Sequence, residues 1–141
     1  MAYTKQQLNA IYRRTTGYCH LCHRKLSRKS YGILGARGAW HVEHSKARAN
    51  GGSDHTNNLF AACIRCNCKK GNRTTRTSRR WNGKTAAPLN PEQRKQAKAE
   101  NGVAGAIAGG LAGAAMGGPI GFVVGAVAGA CIGSSKNPDR K

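Results

Sequence analysis

The sequence predicts a small α+β domain stapled by a metal site and followed by a glycine-rich helical hairpin. Four of the six cysteines form two Cys-x-x-Cys pairs, Cys19/Cys22 and Cys63/Cys66. Between the pairs lie an alternating segment and a returning apolar segment that leads into a short helix. Beyond them is a run with glycine at every fourth position. A chain of 141 residues has room for one small domain and an appendage. A domain this small usually needs a disulfide or a bound metal to be stable.

The charge is strongly positive, with a formal net value of +19. Residues 1–100 hold 21 Lys or Arg against 4 Asp or Glu, which is +17. We therefore expect a polyanionic partner, nucleic acid ahead of an acidic membrane surface, and ahead of charge that serves only solubility. The N-terminus lacks the basic and apolar regions of a secretory signal. A reducing compartment is thus expected, which disfavours disulfides.

The first element is a short packing helix over residues 5–14. Thr4 and Gln7 have the spacing of a capping box. Leu8, Ile11 and Tyr12 then recur at helical spacing and form one apolar stripe.

The cysteine pairs predict a structural zinc site. Two thiolates separated by two residues can bind one ion, and tetrahedral zinc takes its other two ligands from the second pair. Cys19, Cys22, Cys63 and Cys66 are the predicted ligands, with four free buried thiols as the alternative. His20 and His23 could substitute, although we expect them to be exposed on the knuckle.

The next elements are two strands and a helix. Residues 24–38 predict only a loop or a short strand. Residues 40–44 alternate, so Trp40, Val42 and His44 share one face and His41 and Glu43 the other. A turn at residues 51–54 leads to a return strand over 58–62, and a helix begins near Cys63 or Ile64. His55, in the turn, is expected to be solvated.

This two-strand, one-helix arrangement resembles the HNH endonuclease family of the ββα-metal fold, in the variant whose third signature residue is Asn. The resemblance covers about residues 17–75. It rests on the Glu43-His44 pair, Asn58 fourteen positions later, Asn67 nine further on, and the two bracketing Cys-x-x-Cys pairs. The family often has Asp where this chain has Glu43, which leaves the metal distance and the metal choice open.

The resemblance implies a role for each motif residue. His44 corresponds to the general base, as suits an imidazole that titrates near neutral pH. Glu43 and Asn67 correspond to ligands of a catalytic Mg²⁺ or Mn²⁺, since both offer hard oxygen atoms. Asn58 corresponds to the residue that fixes the loop and orients His44. His41 is a possible auxiliary ligand or phosphate contact.

A cluster of basic side chains follows the motif. Six of them in twelve positions are too costly to bury, so they should face solvent or phosphates. We expect them to bind the DNA backbone with low sequence specificity. They are Lys69, Lys70, Arg73, Arg76, Arg79 and Arg80.

The C-terminal segment has a different composition. Asn90 and Pro91 start a polar helix that runs to Glu100. Residues 103–133 carry no charge, and glycine recurs every fourth residue from Gly105 to Gly133, a spacing that resembles glycine-zipper membrane segments. Gly117-Gly118-Pro119 divides the run, which favours a hairpin. Basic flanks place both ends on the cytoplasmic side. A disordered tail and a soluble oligomerising helix pair are the alternatives.

These patterns predict four segments: a nuclease domain with its zinc site over 1–80, a linker and polar helix over 81–100, a membrane hairpin over 101–133 that could also form a homo-oligomer, and a basic tail over 134–141. The predicted function is a metal-dependent HNH endonuclease that cleaves DNA and is tethered to a membrane, in a defence or toxin-like role. The alternatives are a non-catalytic zinc and nucleic-acid binding module, and a pore-forming or scaffold protein whose zipper is the active part.

Overall fold

The computed structural model describes residues 3–135 and residue 138. Two compact units divide the chain, Met1–Pro88 and Leu89–Lys141. Most of the predicted basic tail, including Lys136, Arg140 and Lys141, lies outside the described residues.

The first unit begins with the predicted helix, α1 (Lys5–Arg14). Its capping box is confirmed: the Thr4 hydroxyl accepts from the Gln7 amide N–H, and the Gln7 side chain accepts from the Thr4 amide N–H. Ile11 is fully buried, and Leu8 and Tyr12 pack against the same core. α1 therefore acts as a packing helix, as its single apolar stripe predicts.

The two strands lie close to the predicted positions. β1 (Trp40–His44) pairs antiparallel with β2 (Leu59–Cys63), with Trp40 opposite Cys63 and His44 opposite Leu59. The return strand thus begins one residue later than expected. Residues 24–38 form a loop held by isolated bridges, Tyr18 to Lys25 and Tyr31 to Trp40, as the sequence predicts.

Two short helices complete this unit. α2 (Ile64–Lys70) begins directly after β2, where the sequence predicts a helix. α3 (Thr75–Arg80) was not predicted, and its N-terminus is capped by the Thr74 hydroxyl, which accepts from the Thr77 amide N–H. Two 3₁₀ turns, Arg48–Asn50 and Thr56–Asn58, shape the loop between the strands.

The core is small and centred on Trp40. Its indole is 1% exposed, donates to the Ser27 carbonyl at 3.0 Å, and contacts the rings of Tyr12 and Tyr31. The other buried members are Ile11, Cys19, Leu21, Leu26, Leu59, Ala61 and Ala62. A core with so few large residues supports the expectation that a metal staple contributes to the stability of the domain.

The second unit contains one long helix, α4 (Pro91–Ser135). It starts where predicted, and the Asn90 and Gln93 side chains cap it reciprocally. The predicted hairpin is not shown, because α4 continues through Gly117-Gly118-Pro119. A proline inside a helix removes one backbone hydrogen bond and bends the axis, which does not by itself reverse the chain. Within the described part of the chain, no helix has both the length and the apolarity needed to cross a membrane.

Candidate functional site

The four predicted zinc ligands form one cluster. Cys19 and Cys22 come from the knuckle after α1, Cys63 from the end of β2, and Cys66 from the first turn of α2. Their sulfur atoms all lie within 4.8 Å of one another, and the Cys22 and Cys63 sulfurs are 3.8 Å apart. Tetrahedral zinc with Zn–S bonds of about 2.3 Å requires sulfur separations of about 3.8 Å. The cluster is confirmed and its donor set fits zinc, whereas the identity of the metal stays a prediction.

Hydrogen bonds within the cluster favour the thiolate form of Cys22. Cys19 is fully buried, and its sulfur accepts from the backbone N–H groups of Leu21 at 3.4 Å and Cys63 at 3.3 Å. The hydrogen bond from the Cys19 thiol lowers the pKa of Cys22, while the same contact raises the pKa of Cys19. Cys22 therefore favours the thiolate form beside the three other sulfur atoms, and the thiolate is the form in which cysteine binds a metal.

The knuckle histidines are buried, so the expectation of exposed side chains is wrong. The His20 ring stacks on Phe60 at a centroid distance of 3.9 Å, and Arg79 contacts its ring and donates to its backbone carbonyl. Burial, followed by the charge of Arg79, lowers the pKa of His20 to about 3. The His23 Nε2 atom lies 3.1 Å from the Ala86 carbonyl oxygen. Neither ring belongs to the cluster of four sulfurs.

His44 lies at the end of β1 and is held by a carboxylate. Its Nε2 atom is 2.7 Å from Oδ1 of Asp54, which also accepts two hydrogen bonds from the Arg48 guanidinium. The hydrogen bond with His44, followed by that with Arg48, holds the pKa of Asp54 below its usual range. Asp54 is therefore ionised at neutral pH and can fix both the orientation and the tautomer of His44. The sequence predicts only that Asp54 lies in a turn. Because the chain has just five acidic residues, each of them is a candidate for a functional role.

Asn58 closes the loop that carries His44. Its side-chain amide donates to the carbonyls of Lys46 at 2.9 Å and Ser53 at 2.8 Å, and its Oδ1 accepts from the Lys46 amide N–H at 2.7 Å. Gly52 contributes by its small size, because a Cβ atom there would lie 1.8 Å from the Lys46 carbonyl oxygen. These contacts are the ones that a loop-fixing residue requires.

Glu43 faces the other side of β1 from His44 and is fully buried. Oε1 forms an ion pair with the Lys70 ammonium at 2.8 Å and Oε2 is 3.8 Å from the His20 ring, but neither oxygen has a hydrogen-bond partner. Burial raises the pKa of Glu43, and Lys70 opposes that rise. Oε2 is thus a buried acceptor without a donor, which a cation could satisfy.

Lys70 contradicts the expectation that the whole basic cluster faces solvent. Its side chain is 2% exposed, and its Nζ atom contacts the His44 carbonyl oxygen at 2.8 Å as well as Glu43. Burial of this lysine is tolerated because the ammonium gains a carboxylate and a carbonyl. Lys69 and Arg73 are exposed and lie over the Trp81 ring, at 5.3 and 5.2 Å from its centroid. Arg76 and Arg80 are exposed, and Arg79 is half-buried.

One cavity brings several predicted residues together. It has a volume of about 360 Å³, and its lining includes Val42, His44, Asn67 and Lys70. We call it the His44 cleft. The Asn67 side-chain nitrogen lies 3.5 Å from the Val42 carbonyl oxygen. Glu43 does not line the His44 cleft but contacts Lys70, which does. His41 lies outside this lining, with its ring 6.3 Å from that of Tyr31.

The comparisons with known proteins agree with this geometry. Residues 19–73 match the family model of the HNH endonucleases. Neither the curated proteins nor the solved structures gave a match. The matching segment begins at Cys19 and ends at Arg73, so it contains the four cysteines, the Glu43-His44 pair, Asn58 and Asn67. Over this segment, which holds both the sulfur cluster and the His44 cleft, the chain is similar to the HNH endonucleases.

Proposed function

We propose that this protein is a metal-dependent endonuclease of the HNH type that hydrolyses phosphodiester bonds of DNA in the His44 cleft. The observation that carries the proposal is a histidine, held by a carboxylate, that shares a cleft with Asn67 inside the segment matching the family. An imidazole oriented by a carboxylate is a recurring general base.

In this mechanism His44 takes the proton from the attacking water. Asp54 accepts a hydrogen bond from Nε2–H, and that leaves the Nδ1 lone pair as the proton acceptor. Asn58 fixes the loop from Ser45 to Ser53, so it sets the position of Asp54 relative to the imidazole. The base is therefore oriented by the loop before substrate binds.

Glu43 and Asn67 would hold the catalytic divalent metal. Their donor atoms are a carboxylate and an amide oxygen, which suit Mg²⁺ or Mn²⁺ better than zinc. The buried and partnerless Oε2 of Glu43 supports this assignment. When bound, the metal would neutralise charge that develops on the phosphate. His41 stays a candidate for an auxiliary ligand or a phosphate contact.

The exposed basic residues would bind the DNA backbone. Lys69 is exposed on α2 and Arg73 just after it, and Arg76 and Arg80 are exposed on α3. Arg79 is half-buried against His20, so it would contribute less. Because Lys70 is buried, the charge presented to phosphates comes from the other five residues. Such contacts position a duplex and carry no base information, so low sequence specificity is expected.

A cleavage assay tests the proposal. Zinc-loaded wild type should convert plasmid DNA to nicked or linear forms with Mg²⁺ or Mn²⁺ added, and EDTA should stop it at a concentration that leaves the zinc content unchanged. His44→Ala should lower the rate by about 10²-fold or more, because general base catalysis contributes about 10²- to 10⁴-fold. His55→Ala, in the same loop and outside the His44 cleft, should cleave like wild type.

The same assay distinguishes the alternatives. Equal cleavage by wild type and His44→Ala would contradict the catalytic assignment. DNA binding without cleavage in every protein would favour a zinc and nucleic-acid binding module. Loss of cleavage in a chain lacking residues 101–141 would favour a protein whose glycine-rich segment is the active part.

We also propose that α4 associates with membranes, with the first unit on the cytoplasmic side. Six large apolar side chains among its described residues are about 60% exposed, which leaves apolar surface for lipid or for a second copy of the chain. They include Val103, Ile107, Leu111, Val123, Val127 and Ile132. The four-residue glycine spacing would allow close helix approach in a homo-oligomer.

A further inference from the structure

One of the proposed metal ligands, Glu43, already belongs to a buried ion pair. Glu43 is 1% exposed and Lys70 is 2% exposed, so both charges are removed from water. Lys70 lines the His44 cleft together with Asn67, whereas Glu43 does not line it. The ammonium contacts Oε1 of Glu43 at 2.8 Å, so Lys70 both pairs with the Glu43 carboxylate and lines the cleft.

A metal that uses both Glu43 and Asn67 must therefore share the carboxylate with this ammonium. Two cations on one buried carboxylate repel each other strongly, because the low dielectric of the interior screens their charges poorly. Lys70 has a second acceptor, the His44 carbonyl oxygen at 2.8 Å, which can retain the ammonium when the carboxylate is taken. The two cations therefore compete for the charge of one carboxylate, even though they would contact different oxygen atoms.

We propose that Lys70 is the resident counter-ion of Glu43 and competes with the divalent metal for its carboxylate. Without metal, the ammonium pairs with the buried charge of Glu43 and so stabilises the folded domain. A divalent metal at Glu43 would weaken the contact between the ammonium and Oε1, and the His44 carbonyl would retain Lys70 at the wall of the cleft. Lys70 accordingly lowers the metal affinity of the empty enzyme. This inference rests on the proposed function, since it assumes that Glu43 is a metal ligand.

Mn²⁺ binding to the full-length, zinc-saturated protein tests the competition without DNA. The signal of free Mn²⁺ in electron paramagnetic resonance gives the dissociation constant directly. Lys70→Met should bind Mn²⁺ about tenfold more tightly than wild type, because the competing charge is gone. Lys70→Arg should bind as weakly as wild type. Lys69→Met removes the same net charge from an exposed neighbour, so it should change the affinity by less than about twofold.

A second substitution covers the case in which Lys70→Met does not fold. Lys70→Gln keeps a donor for Glu43 and the His44 carbonyl while removing the charge, and it should also bind Mn²⁺ more tightly. Mn²⁺ should then raise the Tm of the Lys70 variants more than that of wild type, because metal supplies the missing partner of Glu43.

The outcomes separate this inference from the proposed function. If Lys70→Met and Lys70→Gln bind Mn²⁺ no more tightly than wild type, while Glu43→Gln weakens binding, the competition is wrong and the metal site stands. If Glu43→Gln has no effect on the tighter binding of Lys70→Met, Glu43 is not the contested ligand and the inference is overturned. If no variant binds Mn²⁺, the inference falls together with the metal part of the proposed function.

Discussion

At the scale of single residues, the contact between Asp54 and His44 should control the catalytic rate. Asp54→Asn can present its amide nitrogen to Nε2 and so stabilise the wrong tautomer of His44. We expect kcat to fall by about 10- to 100-fold with little change in KM, since Asp54 orients the base and does not bind substrate. Steady-state cleavage of a short duplex gives both constants.

Two controls accompany this prediction: a conservative substitution at Asp54 and a check that each variant is folded. Asp54→Glu should recover part of the lost kcat, because it restores a carboxylate that accepts from Nε2. The circular dichroism spectrum of each variant should match that of wild type. A rise in KM at constant kcat would instead mean that Asp54 acts in binding, which would contradict the orienting role.

Residues identified by short motifs were predictable, and residues identified by their partners were not. The cysteine ligands and Asn58 follow from spacing and from the family motif. The contacts of Asp54 and Lys70 were not predicted, because their partners, His44 and Glu43, are 10 and 27 positions away and meet them only in the folded domain. Strand alternation correctly put Glu43 and His44 on opposite faces. It could not show which face Lys70 would cover.

At the scale of elements, the sulfur cluster should hold α2 in place. Cys63 and Cys66 flank the start of α2, and Asn67 directly follows a ligand. Cys66→Ser should therefore lose zinc and cleavage together. It should also lower the Tm by about 10 °C or more, since each kcal/mol lost shifts the Tm of a domain this size by about 4–8 °C.

Cys68→Ser is the matched control for this prediction. Cys68 lies on the same helix, is exposed, and does not belong to the cluster, so its variant should keep zinc, Tm and cleavage. Elemental analysis and differential scanning calorimetry provide the measurements. A Cys66→Ser protein with full zinc content and wild-type Tm would show that the four sulfurs do not form the site.

The packing of the knuckle on the sheet should make folding stability depend on pH through His20. Its pKa is lowered to about 3 in the folded domain, while an unfolded chain has a value near 6.5. Between these values the unfolded state binds more protons, so stability falls as the pH falls below about 6.5. From about pH 7.5 to about pH 5.5 the loss due to His20 should be about 1.4 kcal/mol.

Comparison with His20→Gln isolates this effect, because proton competition at the cysteines affects both zinc-loaded proteins equally. Urea unfolding at the two pH values should show a smaller loss of stability for His20→Gln than for wild type. Equal losses in the two proteins would mean that His20 does not titrate differently on folding.

The elements themselves were largely predictable, and each exception has a physical reason. Capping signals located α1 and the start of α4, and alternation located β1. α3 was missed because six residues rich in charge and hydroxyl groups show no apolar period. Its N-terminus is stabilised by the Thr74 cap. The hairpin was expected from a Gly-Gly-Pro break that the structure accommodates within α4.

At the scale of the whole molecule, the chain divides into two units after Pro88, within the segment over 81–100 that the sequence assigns to a linker and a polar helix. The sequence predicts a boundary between the polar helix and the glycine-rich segment at residue 101. In the structure both belong to one helix, α4. Composition changes along the chain more abruptly than the backbone conformation does. The charge and apolarity of a segment indicate what it contacts. Whether the helix continues depends on backbone hydrogen bonds, which both the polar and the glycine-rich segment can form.

Membrane association of the full-length protein is the last prediction. α4 exposes Ile107 and Leu111 one turn apart, and the chain carries a net charge of +19. Burying a large aliphatic side chain in lipid is worth about 1.5–3 kcal/mol, and basic residues add attraction to anionic headgroups. The protein should therefore float with vesicles that contain anionic lipid in a density gradient. Replacing both side chains, Ile107→Gln with Leu111→Gln, should weaken binding by at least about tenfold.

Two comparisons separate apolar insertion from charge attraction. Glu100→Gln, exposed on the same helix, should bind vesicles at least as well as wild type, because it removes a negative charge and no apolar surface. High salt should weaken the wild type only in part if the apolar side chains enter the lipid. Flotation that salt abolishes and the glutamine substitutions leave unchanged would reduce the interaction to surface charge. In that case the exposed apolar residues of α4 would instead form contacts between copies of the chain. Sedimentation equilibrium of the full-length protein should then detect an oligomer.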